Sequence, residues 1–105
     1  MICKDLIGNE VYFDEASFGL TIVSVELRSH VSEQIKKSIQ NPAMIIEISD
    51  QKRLYCLAYK IPQWHFFISH AILKEDKWHI EYHNLEYNKD KILAMINKDK
   101  KLFVR

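Results

Sequence analysis

The chain has little that bends or interrupts a backbone: two glycines and two prolines among 105 residues. That scarcity excludes long flexible linkers and low-complexity tracts, and with the length it bounds the chain to one domain, residues 1–105. Cysteine is equally scarce. Cys3 and Cys56 form neither a metal-ligand spacing nor a disulfide framework. No apolar run approaches the ~20 residues that span a bilayer. Lys4, Asp5 and Glu10 interrupt the N-terminal stretch where a secretory leader would have its apolar core. These absences predict a cytoplasmic protein with no membrane partner. Charge of one sign is also lacking: 15 basic residues face 14 acidic ones, for a net charge of +1. Such a balance provides no overall field to gather nucleic acid or lipid. There is no phosphate-cradling glycine loop, no nucleophile elbow and no paired-cysteine zinc pattern, so no cofactor is expected.

What is present is ordinary globular material, 48% hydrophobic and 28% charged, enough to bury a modest core without staples. Residues 9–13 read as a first strand, and Asp14 can cap a short helix to Phe18. Gly19–Leu27 is ambiguous: Thr21, Ile22, Val23 and Val25 favour a strand, while tertiary contacts can impose a helix. From a cap at Ser29 or Ser32, Val31, Ile35 and Ile39 recur every four residues, which predicts an amphipathic helix to about Gln40. Asn41-Pro42 ends it. Strands then follow at Met44–Ile48, Arg53–Lys60, Trp64–Leu73 and Lys77–His83, with turns at Ser49–Gln51, Ile61–Gln63 and Lys74–Asp76. Asn88 can cap a second helix striped by Ile92, Leu93 and Ile96, and Leu102–Val104 returns as an edge strand or docks on the core. The fold class is therefore α+β: a single domain with a mainly antiparallel four- to five-stranded sheet and one or two helices packed on one face.

The sharpest chemical pattern is His79-Ile80-Glu81-Tyr82-His83. Alternate strand residues share a face, so His79, Glu81 and His83 are expected on one side, with Trp78, Ile80 and Tyr82 in the core beside Ile35, Ile39 and Ile92. Two imidazoles flanking a carboxylate suit proton transfer near neutral pH, and also suit a divalent metal. The same alternation describes any half-exposed strand. Register across the Lys74–Asp76 turn decides which further histidine joins them. A three-residue loop sets Ile68 opposite Tyr82 and brings His65 to the polar face; a two-residue loop sets His70 opposite Glu81. The first makes the tidier core and is the expected register. His30, at a helix start where the dipole disfavours a proton, is assigned no role.

Positive charge gathers only at the C-terminal end, where Asn88–Arg105 holds six basic residues against Asp90 and Asp99. Lys98, Lys100 and Lys101 there can follow a phosphate backbone, although such runs are commonly the solvated side of a terminal helix. Arg53, Tyr55 and Tyr59 share one side of their strand, a basic and aromatic surface that suits single-stranded nucleic acid, although tyrosine is also a standard strand residue with a wet tip.

The stretch from Asp5 to Ile48, followed by RLYCLAY and the last two strands, resembles the phage-associated and toxin ribonuclease-like domains of the barnase, EndoU, colicin and RelE-like group. The likeness covers most of residues 5–85. It consists of a Gly-x-x-Val opening, an acidic pair, a helix ending in Asn-Pro, an Ile-Ile-Glu strand and a meander. Members of that group carry a His-Ile and then a His-Pro-Glu in the first helix. Here those positions hold Gly19-Leu20 and Ser24-Val25-Glu26, of which Glu26 alone matches. The resemblance thus implies either a nuclease that uses other histidines or a scaffold without the chemistry. On the first reading either His83 or His79 is the general base and the other the general acid, Glu81 orients one of them, and Arg53, His65, Lys98, Lys100 and Lys101 hold the substrate. On the second the chain is a non-enzymatic interaction protein, such as an immunity protein, an antitoxin-like protein or a phage-encoded inhibitor. RNA or a protein is accordingly the expected partner, with a second copy of the chain as a further candidate.

Overall fold

A computed structural model of the chain describes residues 2–14, 25–59 and 65–104. In chain order the elements are β1 (Ile2–Lys4), β2 (Glu10–Tyr12), α1 (Val25–Gln40), β3 (Met44–Ser49), β4 (Lys52–Tyr59), β5 (His65–Lys74), β6 (Lys77–Glu86), α2 (Lys89–Lys98) and β7 (Lys100–Val104). Among the described residues seven strands form one sheet in the order β1-β2-β6-β5-β4-β3-β7. All pairings are antiparallel except β2 with β6, which is parallel. The fold is therefore α+β with a larger, mixed sheet than the expected four or five antiparallel strands. Strand β2 falls within residues 9–13, where a strand was expected, whereas β1, at three residues, is too short for a period-2 pattern to declare itself. The expected Asp14–Phe18 helix and most of Gly19–Leu27 lie outside the described residues, as do Trp64 and the side chains of Tyr59, Ile92 and Ile96. No helix among the described residues is long and apolar enough to cross a membrane.

Helix α1 begins at Val25, about one turn before Ser29 and two before Ser32. Its apolar stripe behaves as the spacing requires. Ile35 and Ile39 are fully buried against Tyr55, Phe67, Ala71, Trp78 and Ile80 on one face of the sheet. Ser38, in the same stripe, closes a buried contact: its hydroxyl lies 2.6 Å from that of Ser69 and donates to the Ile35 carbonyl. The helix stops where Asn41-Pro42 intervenes, and the Asn41 N–H donates to the Lys37 carbonyl. The opposite face has its own buried cluster of Met44, Ile46, Leu54, Cys56 and Ile68. With apolar groups on both faces, β4 and β5 read as nearly continuous hydrophobic runs, which is why their facing was ambiguous in sequence. Helix α2 is capped as expected, with the Asp90 N–H donating to Asn88 Oδ1 at 2.9 Å. β7 lies antiparallel along β3 as an edge strand.

The β5–β6 hairpin departs from the expected register. Lys74 pairs with Lys77 and Leu73 with Trp78, so Glu75-Asp76 is a two-residue loop. Both loop residues have positive φ, 51° and 63°, the geometry of a type I′ turn. The pairing then slips between Ala71↔Ile80 and His70↔Tyr82, leaving Glu81 as an extra residue. This is a β-bulge, and beyond it every side chain of β6 changes face relative to simple alternation. Tyr82 is consequently 56% exposed rather than buried, and Ile68 faces Asn84 rather than Tyr82. Trp78 and Ile80, before the bulge, are in the core as expected.

A type I′ turn asks for φ > 0 at both central residues, which costs an ordinary L-residue about 1–2 kcal/mol. Replacing Glu75 by Asn and Asp76 by Gly should therefore raise the urea midpoint by an amount equivalent to about 1 kcal/mol or more. A lower midpoint would contradict the turn geometry.

Candidate active site

The bulge at Glu81 redistributes the histidines. His79, before it, is opposite Ile72 and so lies on the face away from α1. Its ring stacks on Tyr12 of the neighbouring strand, centroids 5.4 Å apart. His83, after it, is opposite Ser69 and so lies on the face that α1 covers. Glu81 is exposed at the irregularity itself. The three residues expected on one side of β6 are thus separated, and His79 and His83 share no site. The single-face expectation assumed unbroken alternation, which the extra residue removes.

His83 instead joins a cavity of about 490 Å³ between the first half of α1 and the ends of β5 and β6. Three histidines from three elements line it: His30 on α1, His65 on β5 and His83 on β6. Gln34, Phe67 and Leu85 are among the remaining wall residues. The His83 ring lies nearly parallel to Phe67, with centroids 5.6 Å apart and an interplanar angle of 13°. His65 stacks on Tyr87, just past the end of β6, at 4.9 Å. Burial holds the His83 imidazole below its usual range, with a further contribution from the positive charge of His70. At neutral pH that ring is an uncharged proton acceptor in an apolar wall.

His70 belongs to the other face. Its Nε2 lies 2.6 Å from Asn84 Oδ1 and its ring tilts against Tyr82. Burial lowers its pKa despite the Asn84 contact. Among the described residues no group of three His, Cys, Asp or Glu side chains is arranged to hold a metal ion.

Arg53, expected to hold a substrate, is buried. Its guanidinium is buried under the loop between β1 and β2, which is folded around Asp5. Asp5 Oδ1 accepts the N–H groups of Ile7 (3.0 Å) and Asn9 (2.7 Å), and Gly8 provides the positive φ, 93°, that the turn needs. Asp5 Oδ2 accepts the Tyr55 hydroxyl at 2.6 Å and lies 3.5 Å from Arg53 Nη1. The same nitrogen donates to Asn9 Oδ1 at 2.9 Å and to the Tyr55 oxygen at 3.3 Å. The guanidinium also stacks on Trp78, 4.1 Å from the ring centroid. Burial and the Asp5 carboxylate push the Tyr55 phenol far above its ordinary pKa. Arg53 therefore ties the N-terminal loop to the sheet. Lys100 and Lys101 lie on edge strand β7, and Lys98 ends α2 just before it. Four strand spacings separate β7 from β6, roughly 19 Å at the usual interval. Lys100 pairs there with Glu47 at 3.8 Å in a largely solvated contact, worth little. The lysines and the histidine cavity are separate surfaces.

Of the residues singled out in sequence, the cavity unites His65 and His83. It leaves out His79, Glu81, Arg53, Lys98, Lys100 and Lys101. His30 and Gln34 were missed; their spacing of four, flanking Val31, was the signal that placed them on one helix face. Asp5 was missed too, although Asp-x-x-Gly-Asn is a turn pattern in its own right. Comparison of the chain with protein families, characterised proteins and solved structures gave no match.

Asp5→Ala should cost about 3–5 kcal/mol in urea unfolding, because it leaves a buried guanidinium without its carboxylate. Removing both charges, as Asp5→Leu with Arg53→Met, should cost less than the sum of the single changes. A loss under about 1 kcal/mol for Asp5→Ala would show that the pair does not anchor the loop. The pH dependence follows from His70 and His83, both lowered from 6.5 in the fold. The unfolded chain binds protons at 6.5 that the folded chain refuses. Stability from these groups is therefore complete above pH 6.5 and declines as the pH falls below it, towards their folded values. His70→Gln should flatten part of that slope between pH 7 and 5.

Proposed function

We propose that this chain is a small RNA-directed domain that cleaves RNA at the cavity formed by His30, His65 and His83, without a metal ion. The observation that carries the reading is the convergence of three imidazoles from α1, β5 and β6 on one cavity, with one of them held neutral by burial. The resemblance of most of residues 5–85 to toxin ribonuclease-like domains admits this reading as one of its two branches. In this scheme His83, as an uncharged imidazole, takes the proton from a ribose 2′-hydroxyl. The freed O2′ attacks the adjacent phosphorus, the P–O5′ bond breaks, and His30 donates a proton to the departing O5′. The products are a 2′,3′-cyclic phosphate and a free 5′-hydroxyl. His65 orients the nucleotide. His79 and Glu81 have no part in the step.

The interaction-protein reading has a different surface in its favour. Ile2 on edge strand β1 and Leu6 and Ile7 just after it are exposed, and the unpaired backbone groups of such an edge invite an added strand from a protein or a second copy of this chain.

Purified protein should cleave RNA in the presence of a chelator. His83→Ala and His30→Ala should each lower the rate by ~100-fold or more, the scale of a lost general base or acid, whereas His79→Ala should leave it within a few fold. On the acid side the wild-type rate should hold down to about pH 6.5 and fall only below it, because the base titrates below that value. Absence of cleavage by verified folded protein would favour the interaction surface. Equal losses for His79→Ala and His83→Ala would place the chemistry outside the cavity.

A further inference from the structure

The wall of the cavity extends outwards into an aromatic step that the cleavage scheme does not use. His65 lines the cavity, and Tyr87 lies against it with ring centroids 4.9 Å apart and an interplanar angle of 26°. Tyr87 is the most exposed large hydrophobic residue among those described, at 66%. One face of its ring is occupied by His65, so that exposure belongs largely to the other face and the rim. Deeper in, Phe67 and His83 form a second nearly parallel pair. The end of the β5–β6 hairpin thus presents flat rings in succession, from a half-buried imidazole to an open phenol.

We infer that Tyr87 carries an unpaired nucleobase on its open face, so that the substrate of the cavity is single-stranded RNA. The inference rests on the RNA reading above and specifies its substrate class. Every base has a π-face, so stacking on a tyrosine is tolerant of sequence. A base within a duplex is already stacked on both sides and has no face to offer. The cavity leads to the same conclusion. At about 490 Å³ it has the dimensions of a site for one small ligand, so a nucleotide enters only if it is unpaired or displaced from its helix. His65 then acts as a positioning residue, since the ring that backs Tyr87 also borders the reacting nucleotide.

Tyr82, on β6, is a nearby control. It is exposed to a similar degree, 56%, and also rests on a histidine, His70. It follows the bulge directly and lies on the face away from the cavity. An RNA that used any exposed tyrosine would not distinguish the two.

The test is equilibrium binding of a 2′-O-methyl RNA oligonucleotide, which lacks the attacking hydroxyl and cannot be cleaved by this route. Single-stranded and duplex forms would be compared on wild type, Tyr87→Ala, Tyr87→Trp and Tyr82→Ala. Tyr87→Ala should weaken single-strand binding by about 5- to 150-fold, the range spanned by base–aromatic stacking. Tyr87→Trp should retain or tighten it, Tyr82→Ala should leave it within twofold, and the duplex should bind more weakly than the single strand. The inference is overturned if Tyr87→Ala binds within twofold of wild type, if Tyr82→Ala costs as much, if the duplex binds equally well, or if folded wild type does not bind. The two readings fail separately. Loss of binding in Tyr87→Ala from a protein that cleaves no RNA would leave the base platform standing and remove the cleavage scheme. Cleavage that is indifferent to Tyr87 would do the reverse.

Discussion

Side chains alternate along a strand, so one extra residue reverses the facing of all that follow. In β6 that residue is Glu81, and the arrangement of histidines depends on it. The hairpin turn sets Leu73 opposite Trp78, and without the bulge the ladder would continue with His70 opposite Glu81, Ser69 opposite Tyr82 and Ile68 opposite His83. Tyr82 would then crowd the face beneath α1, and His83 would leave it for the side on which His79 lies. With the bulge, Trp78 and Ile80 remain in the core, Tyr82 turns outwards, and His83 comes to rest on Phe67 beside His65 and His30. A pattern that reads in sequence as one polar face is, in the fold, two surfaces on opposite sides of a sheet.

The second constraint is the N-terminal loop. Asp5 gathers two backbone amides, a phenol and a guanidinium, and so holds the loop across the end of the sheet where β2 runs parallel to β6. A buried ion pair of this kind adds little net stability compared with apolar packing, but a lone member is costly. Its effect is to specify where the N-terminal strands dock. It also removes Arg53 from the surface, and the lysines of β7 are on the far edge. The polar chemistry of the cavity is therefore carried by the histidines that line it, of which burial holds His83 below its usual range.

Much of this was legible in sequence because it is local. The Ile35–Ile39 stripe, the Asn41-Pro42 stop, the Asn88 cap and the burial of Trp78 and Ile80 each follow from spacing or from a single residue's stereochemistry. What was not legible is what local pattern does not encode. Glu81 is neither glycine nor proline, so nothing marks it as a bulge. Glu75-Asp76 lacks the Asn-Gly signature of the I′ turn it forms, so nothing local overrode the tidier core that a three-residue loop gives on unbroken alternation. Arg53 reads as a free cation until Asp5, 48 residues away, is seen to close on it. His30 was set aside on the strength of the helix dipole alone, although its helix face with Gln34 is what meets the cavity.

The central claim is that His30, His65 and His83 form one site and that His79 does not belong to it. Imidazole resonances followed by two-dimensional NMR during addition of a nucleoside 3′-monophosphate test this without requiring turnover. Signals of His30, His65 and His83 should move together along one binding curve, with His79 and His70 unmoved. A shift of His79 with the nucleotide, or a silent His83, would contradict the assignment of the cavity as the site.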